Sequence, residues 1–318
     1  MKLRSLFSLL LFSGILLPVH AATSPKELLA AGRADEAIQT LEQQIGRSST
    51  DSEAYNLLCR AYFMIEEWDR GITACERARN LDPQKSLYHL WLARIYGEKA
   101  DRAGFLSAAG LTRKIRTSFE RAVELDPGNW EARADLAEFY VQAPGIVGGG
   151  RDKAQAQAKA VEPLNPAVAH WIFARVAAKN HDTAAAEREY RAAIAANQSL
   201  GRAWVDLAGL LLHTNRLGDM EQVLRSLESA SVAQREALPD GASVLLRAGR
   251  DYPLAIRLLR RYLESPVEEC PAFKAHDYLG QLLEKQGDKR AAAEEFRAAL
   301  ALSHTDARAQ EHLKRVEH

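Results

Sequence analysis

The chain repeats itself. A small or modest apolar residue recurs at Ala37, Gly71, Ile115, Ala154, Ala186, Met220, Ala255 and Ala292, at intervals of 32 to 44 residues. The segment Ala74-Cys-Glu-Arg-Ala-Arg-Asn-Leu-Asp-Pro83 lies over Ser118-Phe-Glu-Arg-Ala-Val-Glu-Leu-Asp-Pro127. Glu189-Tyr-Arg-Ala-Ala-Ile-Ala-Ala196 lies over Glu295-Phe-Arg-Ala-Ala-Leu-Ala-Leu302 in the same way. A near-constant stride of this length means stacked supersecondary units, each too small to bury its own apolar face, and excludes a single globular core.

Residues 52–85 show what one unit contains. Tyr55, Leu58, Cys59 and Tyr62 fall at i, i+3, i+4 and i+7, one stripe of a first helix. After Glu66-Glu67 a second stripe runs through Trp68, Ile72, Cys75 and Ala78, and Asp82-Pro83 stops it because proline cannot continue the backbone hydrogen bonding. Alanine fills 54 positions while aromatics make up 7%, a composition that suits closely packed helices better than sheets.

These spacings resemble the tetratricopeptide repeat. Tyr55, Leu58, Cys59, Tyr62, Gly71, Cys75, Ala78 and Pro83 occupy its bulky, small and proline places in the unit from Ser52. Leu279, Gly280, Leu283, Ala292, Phe296 and Ala299 do so in the unit from Phe273, and Trp204, Leu207, Ala208 and Leu211 in the unit from Gly201, which has Leu227 where a small residue is usual. The resemblance implies an all-α, right-handed α-solenoid of about eight helix-turn-helix repeats. It covers nearly all of the chain after the leader. The expected layout is a partial, capping repeat over 22–51, repeats over 52–231, a degenerate repeat over 232–270, and a last repeat with a capping helix over 271–318. Insertions fall near 99–115 and 143–153, and these neighbouring departures are similar to those of a group of exported bacterial repeat proteins. Pro239-Asp240-Gly241 is expected to interrupt the first helix of the degenerate unit. At the start, Ser24-Pro25-Lys26-Glu27 forms a capping box with proline at the first helical position.

Residues 1–21 have the form of a secretory signal peptide. Lys2 and Arg4 are followed by a twelve-residue apolar stretch, Leu6 to Leu17, and by Val19-His20-Ala21 as a cleavage site. A helix of that length falls short of the roughly 30 Å hydrocarbon core of a bilayer. The product expected is therefore periplasmic, or else secreted, and not embedded in a membrane. Lys and Arg total 42, as do Asp and Glu, so no global positive field favours nucleic acid. The spacing of Cys59 and Cys75 puts them in one seam between the two helices of a unit, where a disulfide or two packed thiols both fit; Cys270 has no evident partner.

No nucleotide-binding, metalloprotease or serine-hydrolase motif occurs, His181 and His213 lack a third metal ligand at the right spacing, and no cofactor or metal is expected. Gly148-Gly149-Gly150 with Arg151 and Lys153 reads either as a connector or as a loop contacting an anion or a partner. The resemblance places the binding surface on the concave face, lined by fixed positions of each first helix. In this chain those include Asn56, Arg60, Phe63, Met64, Leu90, Arg94, Trp171, Arg175 and Arg202. Apolar residues beside Arg60 and Arg94 suit a peptide with hydrophobic anchors and an acidic group, unless the insertion after Glu98 covers them. The family's Lys/Asn clamp for terminal carboxylates is not reproduced at Asn56 and Arg60. The resulting expectation is a non-catalytic scaffold that binds a protein or extended peptide, the alternative being an accessory subunit of envelope polysaccharide or secretion machinery.

Overall fold

A computed structural model describes residues 23–102, 105–231, 235–264, 267, 271–304 and 306–318. The expected leader and Cys270 lie outside these. The described residues form seventeen α-helices and no strand, an all-α, right-handed solenoid. Eight antiparallel hairpins follow one another: α1 (Pro25–Ala30) with α2 (Ala34–Arg47), α3 (Ser52–Met64) with α4 (Trp68–Leu81), α5 (Ser86–Asp101) with α6 (Phe105–Leu125), and α7 (Trp130–Gln142) with α8 (Arg151–Val161). The series continues with α9 (Pro166–Lys179) and α10 (Thr183–Ala196), α11 (Gly201–His213) and α12 (Leu217–Ser229), α13 (Ala237–Ala248) and α14 (Tyr252–Leu263), and α15 (Ala272–Lys285) and α16 (Lys289–Leu302). A closing helix, α17 (Ala307–Glu317), covers the end.

Local chemistry explains the boundaries. Ser24 Oγ accepts the Glu27 N–H while the Glu27 carboxylate accepts the Ser24 N–H, the reciprocal cap expected from the sequence. Asp51, Asn129, Asn165, Asp182, Asp251, Asp288 and Asp306 cap later helices with their side chains. The turns inside seven hairpins use left-handed backbone, at Gly32, Glu66, Gly148, His181, Asn215, Gly249 and Gly287, and His181 is thus a turn residue. Pro239 does not interrupt a helix. It lies in the first turn of α13, where its missing N–H has no intrahelical partner to lose.

Small residues set the packing distance. A Cβ on Gly280 would overlap the ring of the fully buried Phe296 of the facing helix, and a Cβ on Gly71 would overlap the end of Ile95 in the next hairpin. Ala78, Ala186, Ala255, Ala292 and Ala299 are all completely buried. Cys59 and Cys75 are joined by a disulfide, with Cα atoms 5.1 Å apart. Successive hairpins are also latched by tyrosines: Tyr62 Oη donates to Glu42 (2.8 Å), Tyr96 to Glu76 (2.5 Å) and Tyr140 to Glu120 (2.9 Å), each twenty residues apart.

The two ends of the stack meet. The Val267 N–H donates to the Ala30 carbonyl at 2.6 Å, and Gly32 lies so close to Ala272 that a Cβ would come within 2.5 Å of it. Ile65 packs against a buried cluster of Phe273, Ala299 and Ala309. Glu66 receives Lys274 at 2.5 Å, with Arg102 at 3.5 Å and Arg308 at 3.6 Å, while His304 lies 2.8 Å from Asp35. The two ends of the solenoid therefore touch, and the first helices α3, α5, α7, α9, α11 and α13 line an open hollow.

Candidate functional site

The hollow contains a cleft of about 740 Å³ walled by parts of α3, α5, α6, α7, α9, α11 and α13. This volume is in the range that holds ligands. Five residues expected on the inner wall line it: Phe63, Arg94, Trp171, Arg175 and Arg202. The long α6 supplies Thr112, Ile115 and Phe119 to the wall of the cleft, the first two from the first insertion.

The other four expected residues do not line the cleft. Met64 and Leu90 are core residues, each 1% exposed: Met64 shares a buried face with Leu57 and Ala61, and α5 is buried on nearly every side around Leu90. Asn56 is also buried, and its Nδ2 finds no partner among the described residues. Arg60 extends over the ring of Trp91, 4.9 Å from its centroid, and Arg94 lies over the same ring at 5.0 Å. Phe63 meets Trp91 and Trp68 edge to face at 5.5 and 5.7 Å. Trp91 thus organises this end of the cleft, although it lies outside the expected set.

The cleft arginines are answered by carboxylates of neighbouring inner helices. Arg94 Nε donates to Asp135 at 2.7 Å, with Glu131 3.6 Å away, and Arg202 reaches Asp135 from the other side at 3.3 Å. Arg175 donates to both oxygens of Glu138 and lies 3.5 Å from Asp206. Trp171 Nε1 donates to Asp206 at 2.8 Å, while Arg202 stacks over the Trp171 ring. Burial works against the Asp135 charge, but Arg94 and Arg202 outweigh it and hold its pKa below the ordinary aspartate value. At Asp206 the balance is reversed, and burial raises its pKa despite Arg175 and the Trp171 N–H. Asp240 is exposed at the surface of the cleft but lies within range of its walls. Desolvation by them and the charge of Asp206 push its pKa up to about 6, with only partial relief from Arg247 and Lys274.

An acidic guest, expected from Arg60 and Arg94, does not match this arrangement. Seven carboxylates line the cleft (Glu98, Asp101, Asp135, Glu138, Asp206, Glu236 and Asp240) against three guanidinium groups. Sequence reasoning missed Asp135 and Asp206. Asp135 precedes Glu138 by three residues and Asp206 follows Arg202 by four, so helical spacing places each pair on one face.

The glycine loop is structural in its backbone. The Gly148, Gly149 and Gly150 N–H groups donate to the carbonyls of Gly145, Pro144 and Tyr140, and Lys153 Nζ donates to the Gly148 carbonyl at 2.9 Å. A Cβ on Gly149 would collide with the Ala143 carbonyl, and Gly148 adopts left-handed backbone, which explains the glycines. The three N–H groups are therefore spent on closing the loop and form no anion cradle; Arg151 is exposed beside it. Among the described residues no group of three or more His, Cys, Asp or Glu can hold a metal ion, and no helix is long and apolar enough to cross a membrane.

Family models of the tetratricopeptide repeat match residues 28–95, 173–233 and 240–311, more than half of the chain. No curated protein matches the sequence. Among solved structures, yeast Tom70 is 16% identical, with 89% of this chain aligned to 58% of that one at a TM-score of 0.53. A thermophilic tetratricopeptide-repeat protein of Thermus thermophilus is 19% identical over 59% of this chain and 97% of its own, with a TM-score of 0.49. One from Parabacteroides merdae is 13% identical, covering 92% and 96%, with a TM-score of 0.44.

Proposed function

From the premise that this chain belongs to the tetratricopeptide-repeat family, we propose that it is a non-catalytic scaffold of the bacterial periplasm that holds an extended segment of a partner protein in its inner cleft. The family and fold imply protein partners; the compartment and the face are the further steps. The observation that carries the choice of face is the cleft itself, where the repeated helix geometry supports a fixed polar network beside apolar walls of Phe63, Ile115, Phe119 and Phe139. Preorganised polar groups among apolar ones give orientation and contact area together. The leader-like residues 1–21 support export.

A photo-crosslinking residue at Gln142, exposed on the cleft wall, tests this against one at Lys159, exposed on the outer helix α8. In cells the Gln142 position is expected to yield a crosslinked partner in the periplasmic fraction and the Lys159 position none. Equal yields, or crosslinks from Lys159 alone, would overturn the assignment of the face. Retention of residues 1–21 in the cytoplasmic fraction would overturn the compartment.

A further inference from the structure

The occupant of the cleft is set by charge. Of the seven lining carboxylates, Asp135, Glu138 and Asp206 are answered by the three lining arginines, and Glu98 is answered by Arg102 at 2.9 Å. The arginines are engaged further, since Arg94 and Arg202 also lie against tryptophan rings. Among the described residues the carboxylates of Asp101 and Asp240 make no hydrogen bond or ion pair, and they sit at α5 and α13, on separate walls of the same cleft.

Neither of these exposed aspartates has a partner within the fold that requires a charge there. Asp101 is the last residue of α5, where the negative end of the helix dipole disfavours an anion. Asp240 is exposed and shares the cleft with Asp206, whose charge works against its ionised form while Arg247 and Lys274 relieve it only in part. Carboxylates that face a cleft without an internal partner are available to a cationic guest. Glutamine or asparagine would serve the architecture at least as well.

We propose that the cleft is a docking site for an extended segment bearing lysine or arginine side chains, whose cations pair with Asp101 and Asp240 while its aliphatic stems lie along Phe63, Ile115 and Phe139. This rests on the scaffold reading and specifies its ligand. Long cationic side chains fit such a surface because their stems are apolar and their heads need a carboxylate. The paired arginines act as fixed walls, since each already has a carboxylate partner.

The test is fluorescence anisotropy of a labelled decapeptide of alternating alanine and lysine, titrated with the full chain beside its alanine and glutamate counterpart. The lysine peptide is expected to bind, with affinity falling as salt is raised, and the glutamate peptide is not. Asp101→Asn with Asp240→Asn should weaken the lysine peptide at least about tenfold. Glu162→Gln with Glu311→Gln, both exposed outside the cleft, should leave it unchanged. The paired asparagine variant is expected to fold, because it removes two unfavourably placed charges, and helical circular dichroism checks this. Binding of the glutamate peptide, no binding of either peptide, or equal loss in both double variants would each overturn the proposal. If that happens while Gln142 still crosslinks a partner, the basic ligand fails and the scaffold reading stands; loss of the Gln142 crosslink would remove the scaffold reading itself.

Discussion

Replacing Asp135 with asparagine is the sharpest probe of the polar network. The substitution keeps volume and removes one charge that serves two arginines, Arg94 at 2.7 Å and Arg202 at 3.3 Å. Breaking a buried ion pair by removing one partner typically costs about 3–5 kcal/mol, because the remaining charge is left uncompensated. Here Asp135 retains 15% side-chain exposure, Arg94 keeps Glu131 at 3.6 Å, and both arginines keep their tryptophan faces. Screening and these residual partners bring the expectation to about 2–4 kcal/mol. Urea unfolding followed by helical circular dichroism at neutral pH measures it. The matched substitution Asp206→Asn should cost less, since burial already disfavours that carboxylate and the amide oxygen can still accept from Trp171. The sign of the pH dependence follows from the depressed Asp135 pKa. Its contribution is complete above the unfolded value of about 3.9 and is lost as pH falls through the lower folded value, so wild type and Asp135→Asn should converge in acid below about pH 4. A loss under about 0.5 kcal/mol for Asp135→Asn, or a larger loss for Asp206→Asn, would refute the assignment of the network.

Three further outcomes are expected. Cys59→Ala with Cys75→Ala opens a loop of sequence separation 16 and should lower stability by about 3 kcal/mol in equilibrium unfolding, whereas an unchanged midpoint would mean that the bridge does not constrain the chain. Gly280→Ala must displace the Phe296 ring and should cost about 1–3 kcal/mol; an unaltered melting curve would show that this helix contact is not tight. Glu66→Lys places a cation among Lys274, Arg308 and Arg102 and should part the two ends of the stack, seen as a larger radius of gyration in small-angle scattering, and an identical profile would contradict closure. In wild type, burial raises the Glu66 pKa, but Lys274, Arg308 and Arg102 together depress it. Its contribution to closure is therefore present above the unfolded value of about 4.3 and should fade as pH falls through the lower folded one.

Much of the architecture is legible because it is local. The hairpins follow from stripes such as Tyr55, Leu58, Cys59 and Tyr62, and from small residues such as Gly71 and Gly280 at helix contacts. Pro239 misleads because proline breaks helix interiors but suits first turns, and a sequence does not say where a degenerate unit begins. Closure is hidden for a different reason. His304 and Asp35 are 269 residues apart, and curvature accumulated over eight hairpins decides whether they meet. On the inner wall, register identifies Arg94, Trp171, Arg175 and Arg202, but Met64 and Leu90 fall in the core because α3 buries a second face and α5 is covered on nearly every side. The arginines alone suggested an acidic guest. Their carboxylate partners come from other hairpins, as with Arg202 and Asp135 at a separation of 67 residues, so the charge of the cleft emerges only after folding.

Hydrogen exchange on the full chain, with and without the partner captured through Gln142, is the most direct measurement of where a guest sits. Added protection is expected on the inner stretches 93–101, 135–144, 171–175 and 236–240, with the outer helices α8, α10 and α12 unaffected. Protection on those outer helices, with the inner stretches exchanging as before, would contradict docking in the hollow.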